Sequence, residues 1–333
     1  MRLGIALVAV SCAAPPRPVI LPPAQPPAPT PVPVTPPPFP SEGSIPIGAA
    51  GGLYYHIVGT GRDTVLVPMA VYLEKALEPL SRSHTVVFYD PRHRGRSTSY
   101  ADSALSNFAG DVDDVEQVRA AVGVSKVSLI GFSYFGAVAV EYAASFPDRV
   151  TRVALLSPIE PNDSLAKRID AKAATSRLDT TQARKLVRMR AAGKDTSDVT
   201  AYCRAYWAVN APAYVGDSTK ARQLDASFCA LPNEGVRAFA AHVARVMASL
   251  ASRRDFTPLA QRVRAPTLVV HGDRDLVVHP DGARAWAASL PESRLLTLHG
   301  AGHMLYVGDA DAVVRSLLAF LGGAWPAGAE VVR

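Results

Sequence analysis

One serine, one histidine and a short choice of carboxylates in this chain stand where nucleophilic catalysis would need them. Lys126-Val-Ser-Leu-Ile-Gly131-Phe-Ser133-Tyr-Phe-Gly136-Ala-Val-Ala-Val reads as a buried strand, a sharp turn carrying Ser133, and a helix built from small residues. A serine hydroxyl is a weak nucleophile at neutral pH, so Ser133 needs a base within hydrogen-bond reach and an acid that orients the base. Ala265-Pro-Thr-Leu-Val-Val-His-Gly272-Asp-Arg-Asp275 is an apolar run ending in a glycine and two aspartates. Arg294-Leu-Leu-Thr-Leu-His-Gly300-Ala-Gly302-His303 is a second run that leads into a Gly-flanked histidine. His303 is the expected base and Asp275 the expected acid, with Asp273 and Glu160 competing for the acid's place. No metal or organic cofactor is needed, and Cys12, Cys203 and Cys229 are too scattered for a zinc site.

The elements that must position these residues are legible as β-branched apolar runs of strand length. Asp63-Thr-Val-Leu-Val67, His84-Thr-Val-Val-Phe-Tyr-Asp90 and Arg149 to Ser157 are of this kind. Asp111 to Val122 places Val112, Val115, Val118 and Val122 at helical spacing behind acidic residues. Strands alternating with helices imply a mostly parallel sheet covered on both faces.

The chain order Ser133, Asp275, His303, together with Ser133 on a strand–turn–helix, resembles the α/β-hydrolase family from about Gly51 to Leu321. Asp90-Pro-Arg-His-Arg-Gly95-Arg-Ser97 is similar to the family's Asp-x-Arg-Gly-x-Gly-x-Ser loop. Two positions depart from the family pattern. Phe135 stands where Gly-x-Ser-x-Gly has its last glycine, with Gly136 following, and Pro68-Met69-Ala70 stands where His-Gly and an oxyanion-facing residue are usual. The resemblance implies oxyanion donors at the backbone N–H groups of Tyr134 and Ala70, with Met69 as the alternative to Ala70, because proline has no N–H. It also implies an α/β core over residues 45–158 and 266–325 and a helical cap over 159–265, inserted before the acid. Cap and motifs together are similar to the proline iminopeptidases and related serine aminopeptidases, which bind a free amino terminus through acidic cap residues. Glu160 and Glu234 are the counterparts so implied, the plainer reading being solvated glutamates.

A chain of 333 residues, 48% hydrophobic, can bury one large core and a cap. Fourteen of its 28 prolines lie between Pro15 and Pro40 with Arg17 as the only charge, which marks residues 13–44 as an extended tether. Met1-Arg2 before the apolar run Leu3 to Val10 reads as a secretion signal over residues 1–12. Ser11-Cys12 resembles the bacterial lipobox, which implies lipidation of Cys12, membrane attachment through it, and a place in the cell envelope; a cytoplasmic form is the alternative. In an oxidising compartment Cys203 and Cys229 form a disulfide, and otherwise they are two free thiols. The net charge of +6 comes without a basic run interleaved with aromatics, so nucleic acid is not an expected partner. The expected activity is hydrolysis of a small ester or amide, aminopeptidase-like or carboxylesterase-like, through a Ser–His–Asp acyl-enzyme. The alternative is a non-catalytic homologue that binds a small molecule.

Overall fold

Runs such as Thr64–Pro68 and Thr267–Gly272 have no polar face to turn to water, and every residue in both is buried. They are inner strands of one sheet, as continuous apolar runs require. The computed structural model describes residues 40–48, 51–97, 107–162, 179–231, 245, 250 and 255–332. The residues read as a secretion signal, Cys12, most of those read as a tether, and Glu234 lie outside the described residues.

Eight strands make the sheet: β1 (Glu42–Ile47), β2 (Gly51–Val58), β3 (Thr64–Pro68), β4 (Thr85–Tyr89), β5 (Val127–Phe132), β6 (Val150–Leu156), β7 (Thr267–Gly272) and β8 (Ser293–Leu298). Their spatial order is β1-β2-β4-β3-β5-β6-β7-β8. Only β2 runs against its neighbours, and β3 through β8 pair in parallel. Period-two alternation sends neighbouring residues to opposite faces. Tyr89, Leu129, Leu155 and Val269 meet helices α2 (Phe108–Ala121) and α3 (Tyr134–Ser145) on one side. Phe88, Ile130, Leu156 and Val270 meet α1 (Ala70–Leu77) on the other.

Between β6 and β7 the chain leaves the sheet and builds α4 (Thr180–Ala191) and α5 (Val199–Val215), followed by turns at Lys220–Gln223 and Ser227–Ala230. After β7 and β8 come α6 (Pro280–Ser289) and α7 (Ala310–Leu321), which join the α2–α3 and α1 faces respectively. Asp179 caps α4 by accepting from the N–H groups of Thr181 and Gln182. Among the described residues no helix is long and apolar enough to cross a membrane. The fold is therefore the expected α/β sandwich with helices inserted ahead of Asp275.

Three boundaries differ from the sequence reading. β1 begins at Glu42, so the sheet takes in residues assigned to the tether. Helix α2 begins at Phe108, because the Asn107 side chain accepts the Gly110 N–H and caps it there. Phe256 to Ala265, assigned to the cap, packs into the core instead. Phe256 lies 5.5 Å from the Phe108 ring and 6.2 Å from Trp286, and Ala260 and Val263 are buried with it.

Cys203 on α5 and Cys229 in the following turn form a disulfide with their Cα atoms 5.6 Å apart. A cross-link closing 26 residues restricts the unfolded chain. Replacing both cysteines with alanine should lower the unfolding free energy by roughly 2–4 kcal/mol, measured by urea titration. An unchanged midpoint would show that the bond contributes nothing to stability.

Candidate active site

Ser133 sits at the end of β5, where the chain reverses into α3 with φ 52° and ψ −120°. This region is costly for a residue with a Cβ, and neighbouring packing must impose it. A Cβ on Gly131 would come within 2.3 Å of the Phe135 carbonyl oxygen, and one on Gly136 within 2.7 Å of Pro158 Cβ. Gly136 thus supplies the close approach to the next strand's loop. Phe135, where the family's pattern has glycine, is buried with the Arg94 guanidinium 5.0 Å from its ring centre.

The half-buried Ser133 Oγ lies 2.9 Å from His303 Nε2, and His303 Nδ1 lies 2.9 Å from Asp275 Oδ2. The second Asp275 oxygen accepts the N–H groups of Val277 and Val278 at 2.8 and 2.9 Å. Burial pushes the Asp275 carboxyl up, but His303, His271 and the Val278 N–H outweigh it and hold the group below its ordinary 3.8. His271 points Nε2 at Asp275 Oδ2 from 3.5 Å, and its burial depresses its own pKa. The competing acids are engaged elsewhere. Asp273 pairs with His299 and the Gly300 N–H, and Glu160 accepts the His279 N–H at 2.9 Å.

Two helices begin beside this serine, and their first N–H groups have no partner within the helix. Tyr134 opens α3 and Ala70 opens α1. Val71 N–H is taken by Asp90 Oδ1 at 2.9 Å, and those of Tyr72 and Leu73 by the Met69 carbonyl. Among the described residues the N–H groups of Ala70, Met69 and Tyr134 find no acceptor. Met69 adopts φ 67° and ψ 49°, a left-handed conformation that a glycine would take without strain. The two helix N-termini also bring positive dipole ends to the same edge of the sheet.

Aromatic rings surround the histidine. Phe132 lies 5.1 Å and Tyr214, from α5, lies 5.7 Å from the His303 ring. Tyr214 leads on to Trp207 at 5.0 Å and Trp207 to Phe228 at 5.4 Å. Tyr214, Trp207 and Phe228 come from the inserted segment, and neither hydrophobic periodicity nor a motif could place Tyr214 beside His303. Among the described residues no group of three His, Cys, Asp or Glu side chains is placed to hold a metal ion.

A family model described as alpha/beta hydrolase fold matches residues 68–310. A protein of Variovorax paradoxus that bears the name carbamate hydrolase RutD is 28% identical over 245 residues, 73% of this chain and 83% of that one. The proline iminopeptidase PfmaB of Pestalotiopsis fici is 24% identical over 250 residues, 74% of this chain and 85% of that one. The crystal structure of the esterase RhEst1 from Rhodococcus sp. ECU1013 superposes with a TM-score of 0.64 at 22% identity, covering 85% of this chain and 99% of that one.

The depressed Asp275 pKa sets the sign of a pH dependence. A carboxyl that is more acidic folded than unfolded stabilises the fold above its unfolded pKa and loses that contribution as pH falls through the folded value. Asp275→Asn should therefore be less stable than the wild type at neutral pH, and the difference should shrink as pH falls from about 3.8 through the lower folded value. A stability difference independent of pH across that range, in denaturant titrations, would contradict the assignment.

Proposed function

The chain belongs to the α/β hydrolase fold family and is a hydrolytic enzyme, and we propose that it cleaves a small ester or amide through an acyl-enzyme on Ser133. The observation that carries the reading is the continuous hydrogen-bonded line from Ser133 Oγ through His303 to Asp275. In this mechanism Ser133 Oγ attacks the substrate carbonyl carbon while its proton passes to His303 Nε2. Asp275 fixes the tautomer with Nδ1–H and stabilises the imidazolium. The tetrahedral oxyanion is met by the N–H groups of Tyr134 and Ala70. Collapse expels the alcohol or amine, which takes the proton from His303. Water then adds to the acyl-enzyme with His303 again as base, and the acid product leaves with Ser133 restored.

The names of the relatives, a carbamate hydrolase, an iminopeptidase and an esterase, support acyl transfer to water without selecting one substrate. The finer reading is an aminopeptidase-like specificity with Glu160 and Glu234 receiving the substrate's amino group. Replacing both with Gln should raise KM for aminoacyl substrates and leave simple esters alone. An unchanged KM for both sinks this part. We also propose lipidation of Cys12 and attachment to the cell envelope. Cys12→Ser should then release the protein from the membrane fraction, and an unlipidated Cys12 in membrane-extracted protein would contradict it.

A fluorophosphonate probe should label Ser133, located by peptide mass spectrometry, and Ser133→Ala should abolish labelling and lower kcat by at least about 10³-fold. A folded wild-type protein that neither labels nor turns over short-chain esters would favour the non-catalytic, ligand-binding alternative, to which the altered Pro68-Met69-Ala70 segment lends its support.

A further inference from the structure

The proposed chemistry uses only the backbone of Tyr134, yet its side chain is tied down independently. The Tyr134 hydroxyl donates to Asp111 Oδ2 at 2.7 Å, and Asp111 Oδ1 accepts from Arg94 Nη2. The three side chains are 9%, 0% and 2% exposed. Asp111 comes from the first turn of α2 and Arg94 from the loop after β4. Arg94 in turn donates through Nε to the Arg92 carbonyl at 3.3 Å, and Arg92 is locked by Nε and Nη2 onto Asp114. Burial, and then the Asp111 carboxylate, pushes the Tyr134 phenol far up, so the phenol is the proton donor.

A buried ion pair is a poor source of stability, since desolvation offsets its attraction and apolar replacements often fold as well. Orientation explains it better. The Tyr134 ring is a lever on the Cα next to Ser133. Its far end is held by Asp111, and its ring meets that of Phe108 in a T-shaped contact with centroids 5.9 Å apart. With the lever fixed at both points, the Tyr134 N–H has little freedom to swing away from an oxyanion.

We propose that Asp111, clamped by Arg94, is a positioning residue that sets the Tyr134 N–H for oxyanion stabilisation. The inference rests on the serine hydrolase reading of Ser133 and deepens it. Tyr134→Phe removes one hydroxyl and keeps the ring. In the full chain it should lower kcat on a short-chain ester about tenfold, less than the roughly 10²–10³ expected when a donor is lost outright. KM should stay within about twofold, the pattern of an interaction made only in the transition state. Affinity for an alkyl boronic acid, which adds to a serine as a tetrahedral anion, should weaken by the same factor as kcat. Asp111→Asn should lose a comparable amount, and the double variant should be no worse than the poorer single, because both act through one N–H. Unchanged kcat and boronate affinity with only a lowered thermal midpoint would make the cluster a brace for the fold and overturn the proposal; so would additive losses. If Asp111→Asn does not fold, Tyr134→Phe decides alone. A wild-type protein inert to the fluorophosphonate probe would instead remove the hydrolase reading and this inference with it, a result seen before any variant is made.

Discussion

A serine held at φ 52° and ψ −120° is the constraint on which the rest of the molecule turns. Such a conformation costs about 1–3 kcal/mol and persists only where surroundings over-determine it. Here they do. Ser133 N–H donates to the Leu156 carbonyl at 2.8 Å, and its own carbonyl accepts from Gly136 and Ile159 at 2.9 and 3.2 Å. Strand β6 therefore grips the turn from the side while Gly131 and Gly136 let α3 close against it. Among the described residues the other non-glycine positions with positive φ are Met69, His93 and Ser157. They follow β3, β4 and β6, so the strain is gathered along the carboxyl edge of the sheet, where binding clefts of parallel sheets form.

Charge is gathered along the same edge. Asp90, Asp111, Asp114 and Asp275 are all buried, and each is tied to named donors. Asp90 shows how closely these ties meet the site. One of its oxygens holds the Val71 N–H beside Ala70, and the other holds the Arg96 N–H at 3.0 Å. Burial pushes its carboxyl up despite those bonds. A Cβ on Gly95 would strike that carboxylate at 2.3 Å, which leaves glycine as the residue that fits there. The loop after β4 thus braces α1 through Asp90 and reaches the elbow through Arg94.

Much of this was legible in the residues. Apolar runs without a polar face marked the inner strands, and the glycines around Ser133 marked a turn. β1 was harder, because Glu42-Gly-Ser-Ile-Pro-Ile mixes glycine and proline into an edge strand that is only half apolar. Which of Asp273, Asp275 and Glu160 reaches His303 depended on how the loops after β7 and β8 meet, and the choice between paired and free Cys203 and Cys229 on how α5 folds back. Both are set by tertiary packing. The contact of Tyr134 with Asp111 has no sequence signature, since an acidic residue opening a helix ordinarily faces water.

The end of α5 has a meaning beyond packing. A Cβ on Gly302 would stand 2.3 Å from the Val215 carbonyl carbon, and the Met304 N–H donates to the Tyr214 carbonyl at 3.0 Å. A Cβ on Gly216, which closes the helix, would come within 3.0 Å of Arg274, next to Asp275 in the chain. The inserted helices are thus not an interchangeable cover laid over finished machinery. Their last turn and the histidine loop must change together over evolutionary time, whereas α4, whose side chains include no buried one, is open to drift. Sequence change in the insertion is then expected at its outer helix, with the inner turn inherited as part of the core.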